Sequence, residues 1–564
     1  MANIQFTPEQ QHAIDVRQGN ILISAAAGSG KTAVLTQHVI ELLTGQPSVP
    51  ADQLVIVTFT IAAAAEMKQR IEQTLNDLLE ESPESQLLQS QQLMLSKAKI
   101  STIHSLCNEL IKDHFELLNL PVNYRLAEEN ELQILKNEVL EEVLETCYLE
   151  KQPEFLKLAD CLCEKDDKKL LDMTLYIYQY IRSYPFPLTW LDKFSNAYHQ
   201  TDSFLSTIWG QTLSHQIEQI LLQAKYCLME ALHLMQTDEL VNKQYAPAFE
   251  NDLNTVQLLF GAFQSQQWNH MISILRSYQK QRIGAVRGYE DKEFLEQLKD
   301  LRKTATDLLS QLEQRCLITN EQEYQQDLTD LNQLITPLFS FVRQFYLRLE
   351  QVKLERGMID FADLEHFTLN LLITVDGEYY QKSPVAVSLS EQYYEIMIDE
   401  CQDINQVQNL IFWAISKGSE KISIRSQEIL TDSQNLFLVG DVKQSIYRFR
   451  NAMPTLFVQR KKLFKPYQSD FYDPHSCYKI LLQDNFRSRK EVTQTVNTIF
   501  SNLMTEQLGD ILYNHEEALK PSASYLPFEK ASAEFHLLSL SDIADEEPSD
   551  KRYHKTDIEA EYIA

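Results

Sequence analysis

The run GSGKT at 28–32 contains the residues best suited to phosphate chemistry. It follows a short apolar run, NILIS at 20–24, and precedes a stretch whose apolar residues recur at helical spacing. Between a strand and a helix, glycines let backbone N–H groups face a phosphate, and the helix N-terminus adds a favourable dipole. Lys31 can reach the β- and γ-phosphates, and the Thr32 hydroxyl can ligate Mg²⁺. An ordinary turn is the alternative, and Ala25 stands where the usual pattern has another glycine, but the strand–loop–helix context favours a nucleotide site.

Two adjacent carboxylates, Asp399 and Glu400, end or follow the apolar run YYEIMID at 393–399. A buried strand that ends in paired acids can place the first at Mg²⁺ and the second near an attacking water as general base. Such a pair after a strand is more often solvated surface. Together with GSGKT, it indicates the metal and water side of a nucleotide site.

A third group of candidate residues follows the apolar run NLFLVGD. Gln444 is an amide that could sense a γ-phosphate. Tyr447 and Phe449 alternate with Arg448 and Arg450, a pattern suited to stacking on bases and to contact with backbone phosphates. Taken alone, the segment is better interpreted as a solvated basic loop with one or two core aromatics.

The run NFRS at 485–488 offers two further groups of this kind. Phe486 is an aromatic side chain for a purine face, and Arg487 is a guanidinium for transition-state charge. Phe-Arg pairs on amphipathic helices are common, so this motif indicates little by itself.

The elements that position these residues alternate between strand and helix. Apolar runs typical of buried strands occur at 20–24, 54–59, 393–399 and 435–441, with helical patterns between them, which predicts a parallel α/β domain. From about 125 to 350 the spacing is helical throughout, so we predict one α/β sheet whose chain is interrupted by a large all-helical insertion. A third segment begins near Tyr478, with a further strand predicted over 533–540, an acidic linker and the first turns of a helix at the end.

The composition excludes some classes of protein. The 564 residues carry 51 Lys and Arg against 80 Asp and Glu, a formal charge of −29, which argues against coating nucleic acid or an anionic membrane through bulk positive charge. This net charge does not exclude a local basic groove. Hydrophobic residues at 44% exclude a mainly disordered chain. The eight cysteines contain no CxxC pair, the N-terminus shows no secretory signal, and no apolar run approaches the ~20 residues that span a bilayer, so we expect a cytoplasmic protein with reduced thiols.

In their order along the chain these motifs resemble those of the superfamily 1 DNA helicases of the UvrD/Rep/PcrA kind. The matching runs, besides GSGKT, are TPEQ (7–10), VTFTIAAAAEMKQRI (57–71), STIHSLC (101–107), RGMIDFADLE (356–365), IDECQDINQVQ, VGDVKQSIYRFRNA and NFRS. Longer runs such as LFLVGDVKQSIYRFRNAMPTLF are similar to the AddA (RexA) family of helicase–nuclease subunits.

The resemblance implies an ATP and Mg²⁺ site and a track for single-stranded DNA. The residues it assigns to catalysis are Lys31, Asp399, Glu400, Gln444 and Arg487, with Thr32 and Asp399 at the metal. Those it assigns to nucleotide binding are Gln10, Ala25, Ala26, Ala27, Gly28, Ser29, Gly30, Lys31, Thr32 and Phe486, where Gln10 reads adenine and Phe486 stacks on it. Those it assigns to DNA are Phe59, Thr60, His104, Tyr447, Phe449 and Arg450. By itself, His104 would more often be a structural histidine.

The resemblance also implies domains, partners and activity. It predicts a RecA-like domain 1A over 1–124 and 351–479, a helical domain 1B over 125–350, and the start of a domain 2A over 480–564. The implied function is that of an ATP-dependent 3′→5′ DNA helicase and exonuclease that processes double-strand ends together with an AddB (RexB) partner. Motifs V and VI and a nuclease signature are not found, so we expect the chain to be the N-terminal part of such a protein. A stand-alone UvrD/PcrA-type repair helicase and an ATP- and DNA-binding module with little turnover are the alternatives.

Overall fold

The computed structural model describes residues 5–118, 120–121, 123–163, 166–198, 203–286 and 288–526, together with 533–534, 536, 560 and 562–563. The chain forms two compact units, one of residues 1–122 and 361–564 and the other of residues 123–360. Each unit has its own core and is described by itself. The strand predicted over 533–540, the acidic linker and the start of the terminal helix lie largely outside the described residues.

The strands are two to seven residues long. In chain order they are β1 (Gly19–Ala25), β2 (Leu54–Thr58), β3 (Lys99–Thr102), β4 (Arg125–Leu126), β5 (Met358–Ile359), β6 (Ile373–Asp376), β7 (Tyr379–Lys382), β8 (Glu395–Ile398), β9 (Lys421–Ser423), β10 (Asn435–Gly440), β11 (Lys465–Pro466), β12 (Cys477–Leu482), β13 (Asp484–Asn485) and β14 (Lys520–Pro521).

The α-helices fall into three consecutive groups along the chain. Those before the insertion are α1 (Pro8–Asp15), α2 (Lys31–Thr44), α3 (Ile61–Glu81), α4 (Gln86–Leu95) and α5 (Ile103–Asp113). Those of the insertion are α6 (Glu129–Leu149), α7 (Pro153–Leu162), α8 (Lys168–Ile181), α9 (Pro187–Asn196), α10 (Ile208–Met235), α11 (Glu239–Gln264), α12 (Trp268–Ser277), α13 (Lys292–Gln311) and α14 (Glu321–Glu355). Those after it are α15 (Phe361–Leu372), α16 (Pro384–Gln392), α17 (Gln406–Ile415), α18 (Glu428–Thr431), α19 (Pro454–Leu463), α20 (Lys490–Leu503) and α21 (Glu506–Gly509).

The first unit is built on a seven-stranded sheet in the order β11-β12-β1-β10-β8-β2-β3. Every neighbouring pair in it is parallel. Strands β1, β2 and β10 are buried along their whole length, because helices cover both faces of such a sheet. The prediction of a parallel α/β domain is therefore confirmed, and its core includes Ile21, Ile23, Val39, Leu43, Ile56, Met397, Phe437 and Val439.

The second unit is helical, as predicted for residues 125–350. In the described residues its only strands are the two-residue pair β4 and β5, which join the two ends of the insertion. Its apolar residues form two main cores. One packs α6, α7 and α14 through Leu140, Leu144, Phe155, Leu158, Phe341 and Phe345. The other packs α10 to α13 through Leu221, Leu228, Phe249, Trp268, Leu298 and Leu309. Among the described helices none is long and apolar enough to span a membrane.

The topology of the first unit brings the predicted motifs to one edge of the sheet. Strands β1, β10, β8 and β2 are consecutive in the sheet and all run in the same direction. Their carboxyl ends therefore open onto the same edge, and this is where ligands bind in open α/β sheets. The loops that follow these four strands contain GSGKT, Phe59, Asp399 and Gln444.

A buried polar pair holds the central strands and helices together under this edge. His38 of α2 lies with its Nε2 atom 2.6 Å from Oε1 of Glu395, the first residue of β8, and both side chains are almost fully buried. The Nδ1 atom of His38 is 2.9 Å from the carbonyl oxygen of Ile14 in α1, and its ring stacks on Phe437 of β10. Since a carbonyl oxygen only accepts, Nδ1 carries a hydrogen, and one further proton lies between Nε2 and the carboxylate.

We expect His38→Leu to cost much more stability than Glu395→Gln. Leucine leaves the Glu395 carboxylate buried without its partner, which costs about 3–5 kcal/mol. Glutamine, by contrast, can donate its amide N–H to the bare Nε2 of a neutral His38, so we expect a loss within about 1 kcal/mol. Urea unfolding of the two variants beside the wild type measures both values, and equal losses would contradict this account of the pair.

Candidate nucleotide and DNA-binding sites

The GSGKT loop has the backbone geometry that a phosphate cradle needs. Gly28 and Gly30 have φ values of +70° and +80°, in the left-handed region that favours glycine, and Gly30 is the N-cap of α2. A Cβ atom on Gly28 would lie 2.8 Å from Cβ of Arg487, so the loop leaves no room for a side chain there. The hydroxyl of Ser29 is one of the few buried polar side-chain atoms among the described residues that have no hydrogen-bond partner. A loop with free donors at a helix N-terminus fits a phosphate ligand.

Gln10 is held against this loop. Thr7 caps α1 by accepting a hydrogen bond from the Gln10 backbone N–H, while the Gln10 side chain accepts one from the Thr7 N–H at 2.9 Å. The Gln10 amide then donates to the carbonyl oxygen of Ser29, also at 2.9 Å. This capping box positions the TPEQ motif beside the predicted nucleotide site.

Lys31 lies between two of the predicted catalytic residues. Its ammonium is 3.1 and 3.2 Å from the two carboxylate oxygens of Glu400 and 3.5 Å from Oε1 of Gln444. These three side chains come from α2, from the loop after β8 and from the loop after β10. The fold thus brings together residues that are more than three hundred positions apart in sequence, at the helix N-terminus where a phosphate would bind.

Asp399 lies at the carboxyl end of β8, one residue before Glu400. Burial, followed by the neighbouring Glu400 charge, raises the pKa of Asp399 to about 6, although Lys31 and the Glu400 backbone N–H act in the opposite direction. Magnesium takes oxygen ligands and keeps several waters, so Asp399 together with the Thr32 hydroxyl is a donor set that fits this ion. A cation bound here would favour the ionised carboxylate and so offset the effect of burial on its pKa.

Glu400 has an unusual backbone conformation. Its φ of 52° lies in the left-handed region, which is uncommon for a residue with a side chain. The Glu400 carboxylate accepts a hydrogen bond from the amide of Gln402 at 2.9 Å, and the other end of the Gln402 amide accepts from the backbone N–H of Asp441. The surrounding structure therefore holds Glu400 in a strained conformation that points its side chain at Lys31.

The NFRS run packs directly on the GSGKT loop. The Asn485 side chain donates to the carbonyl oxygen of Ala27 at 2.7 Å, and the backbone N–H of Phe486 donates to that of Gly28 at 2.9 Å. Asn485 also accepts from the N–H groups of Arg487 and Ser488. Phe486 and Arg487 are exposed next to the cradle. Asn485 is a positioning residue that the sequence interpretation left without a role, although it heads the motif.

The aromatic residues predicted to contact DNA form one group, in which Phe59 and Phe449 are exposed and Tyr447 is half-buried. The rings of Phe59 and Tyr447 are 4.5 Å apart and those of Tyr447 and Phe449 are 5.9 Å apart. The guanidinium of Arg450 lies 5.6 Å from the centroid of each of the last two rings. Phe449 is 69% exposed. Such a group offers π-faces and a cation to a single strand, and its contact with DNA stays a prediction.

The remaining residues predicted at DNA have partners within the protein. The Thr60 side chain caps α3 by accepting from the N–H of Ala63. Nε2 of His104 is 3.1 Å from the buried carboxylate of Glu365, and its ring lies 5.0 Å from that of Phe361. Burial acts to raise the pKa of Glu365, but hydrogen bonds from His104, Gln408 and Asn405 outweigh it and hold the pKa below its usual value. These contacts give His104 and Thr60 structural roles beside any role at DNA.

Comparison with known proteins assigns the family. The UvrD/REP helicase N-terminal domain matches residues 6–283 and 254–465, which is more than half of the chain. The chain belongs to the UvrD/REP helicase family. The predicted resemblance to UvrD-like helicases is therefore confirmed, and the GSGKT, DE and VGDVKQ loops described above lie inside the matched region of this helicase domain.

The chain is also similar to curated proteins that are named as one subunit of an ATP-dependent helicase/nuclease. It is 35% identical to the one from Clostridium acetobutylicum over 95% of this chain and 43% of the relative. It is 34% identical to the relative from Bacillus velezensis over 99% of this chain and 44% of the relative. It is 36% identical to the relative from Clostridium novyi over 94% of this chain and 42% of the relative. The resemblance to this family is confirmed, and the chain spans about two fifths of the length of these relatives.

We expect Asp399→Asn to stabilise the UvrD/REP helicase domain at about pH 8 by about 1–3 kcal/mol in the absence of magnesium. The folded chain disfavours the ionised carboxyl, because its pKa is about 6 against an ordinary value of 3.8. The native state therefore loses stability as the pH rises through this interval, and asparagine removes that loss. Urea unfolding at several pH values measures it.

The matched control is Asp470→Asn, at an exposed aspartate. We expect the gain from Asp399→Asn to shrink towards zero as the pH falls to about 3, where the carboxyl is protonated in the folded state and largely so in the unfolded one. A gain that does not depend on pH, or one that Asp470→Asn reproduces, would contradict the assignment of a destabilised carboxylate.

Proposed function

We propose that this chain is the ATP- and DNA-binding motor region of an AddA-type helicase/nuclease, in which ATP hydrolysis drives 3′→5′ movement along single-stranded DNA. One observation carries the proposal. Gln444, which lies beside Lys31, and Tyr447, which lies in the aromatic group with Phe59 and Phe449, are three residues apart on the loop after β10. A change at the nucleotide can therefore reach the DNA-facing side chains through a single short loop.

Each side chain at the cradle has a separate role in ATP hydrolysis. Lys31 and the N-terminus of α2 hold the phosphates, and the Thr32 hydroxyl with Asp399 holds Mg²⁺, which when bound neutralises phosphate charge. In the present structure the Glu400 carboxylate pairs with Lys31. Once a phosphate takes over the Lys31 ammonium, Glu400 is free to accept a proton from the attacking water. Gln444 and Arg487 then contact the γ-phosphate, Phe486 stacks on adenine, and Gln10 reads its edge.

The DNA track in this proposal is narrow and mostly aromatic. Phe59, Tyr447 and Phe449 stack on successive bases, and Arg450 adds a cation beside them. Stacking does not depend on base identity, which suits a motor that moves along any sequence. The same geometry accounts for DNA binding by a chain whose formal charge is −29, because the contacts need few cations.

The wider assembly is proposed from the relatives. Their name describes one subunit of a helicase/nuclease, which implies that another exists. We infer an AddB (RexB) partner in the cytoplasm, nuclease activity in the whole protein, and a role in processing double-strand DNA ends. The four-part division into 1A, 1B, 1A and 2A is part of the same proposal.

We expect Lys31→Ala to weaken binding of Mg²⁺-ATP at least tenfold. The variant removes the Lys31 ammonium, which lies at the N-terminus of α2 beside Glu400, and this charge is worth at least about 1.4 kcal/mol. Titration of a fluorescent ATP analogue with Mg²⁺ measures the affinity, and Lys97→Ala at an exposed lysine is the control. An unchanged affinity in Lys31→Ala would place the nucleotide elsewhere.

We expect Phe449→Ala to weaken binding of an oligothymidine by about 1–3 kcal/mol, the usual value of one base–aromatic stack. Fluorescence anisotropy at one fixed salt concentration measures the dissociation constant. Phe471→Ala removes another aromatic ring, 77% exposed, that is not in the predicted track, and it should have no effect. Equal losses from both variants would show that the rings act only through general hydrophobicity.

A further inference from the structure

The segment after α20 carries acidic residues that pair with basic residues of the region after β10. Glu506 pairs with Lys462 at 2.9 Å, Glu516 with Lys479 at 3.3 Å, and Asp510 with Arg448. Glu517 differs from these three because it is only 5% exposed. A buried carboxylate requires close partners, so its contacts identify what it holds in place.

Glu517 binds two lysines. Its Oε2 atom is 2.7 Å from the ammonium of Lys443, and its Oε1 atom contacts that of Lys461 in α19. Burial acts to raise the pKa of Glu517, but the two lysines hold it below its usual value. The carboxylate is therefore charged and shares the Lys443 ammonium with a second acid.

That second acid is Asp441, directly after β10. Its Oδ1 atom is 2.8 Å from the Lys443 ammonium, and its Oδ2 atom accepts from the Gln444 side-chain amide at the same distance. One side-chain path therefore runs from Glu517 through Lys443 and Asp441 to Gln444. Every group on this path is buried or half-buried.

The orientation of the Gln444 amide follows from its neighbours. The Asp441 carboxylate can only accept, so it faces Nε2, and the Lys31 ammonium can only donate, so it faces Oε1 at 3.5 Å. A phosphate oxygen also only accepts. A γ-phosphate in place of Lys31 would face Oε1, so Gln444 has to rotate its amide to present an N–H group there, and the hydrogen bond from Nε2 to Asp441 resists that rotation.

We propose that Glu517 is a positioning residue for the γ-phosphate contact, because through Lys443 it sets how strongly Asp441 retains the Gln444 amide. The inference rests on the proposed function, in which Gln444 faces the γ-phosphate. While Glu517 is charged, the Lys443 ammonium is divided between two carboxylates, and Asp441 keeps much of its strength as an acceptor. Without that charge, Lys443 neutralises Asp441 more fully, and the amide is released more readily.

The test compares nucleotides that differ in the γ-phosphate. For each variant, the dissociation constants of ADP and of a non-hydrolysable ATP analogue are measured with Mg²⁺ by competition against fluorescent ADP. We expect Glu517→Gln to shift the ratio of the two constants at least threefold in favour of the ATP analogue. The matched control is Glu516→Gln, which makes the same charge change at the neighbouring residue but pairs with Lys479, outside the path. A general loss of structure would weaken both nucleotides alike and leave the ratio unchanged.

Lys443→Met is expected to shift the ratio in the opposite direction, because Asp441 then loses its cation and retains Gln444 more strongly. In that background Glu517→Gln should have no further effect on the ratio. If Glu517→Gln does not fold, the ratio measured for Lys443→Met alone tests the inference. The inference is overturned if the ratio stays at the wild-type value in both variants, or if it moves equally in Glu516→Gln. Provided that ADP still binds, the proposed nucleotide site is unaffected by that result. Failure of the wild type to bind either nucleotide overturns the proposed function, and this inference with it.

Discussion

The ammonium of Lys31 joins the three loops of the candidate site, because it contacts Glu400 after β8 and Gln444 after β10. It lies at the N-terminus of α2, where the helix dipole already favours an anion, and its closest partner is the Glu400 carboxylate. Glu400 keeps its left-handed backbone because Gln402 holds its side chain, and Gln402 in turn accepts from the N–H of Asp441. The three loops of the site are thus tied together by polar contacts that converge on one cation.

The two sides of the site are held by different kinds of contact. The GSGKT loop is fixed by Gln10 on one flank and by Asn485 on the other, through bonds to backbone carbonyl oxygens. The side-chain amide of Gln444, by contrast, has two side chains as its partners, Asp441 at one end and Lys31 at the other. In the proposed function, this amide is the group that responds to a γ-phosphate.

Much of the first unit could be predicted from local patterns. The apolar runs predicted as strands at 20–24, 54–59, 393–399 and 435–441 match β1, β2, β8 and β10 within a few residues. These strands are buried on both faces, so nearly every residue is apolar and the pattern is easy to detect. The roles of Asp441, Asn485 and Glu517 were not predicted. Their side chains act on residues at other places in the chain, and nothing in their immediate neighbours indicates which.

The sequence by itself determined four strands of the central sheet, the GSGKT loop between the first of them and a helix, and the family, since each depends on short runs whose residue types have a direct physical meaning. Only the tertiary structure decided the partners of the buried charges. His38 and Glu395 are 357 positions apart, and Lys443 and Glu517 are 74 apart. A buried charge is tolerated only where the fold supplies its counterpart, and that counterpart is set by how strands and helices pack, which no local run of residues specifies.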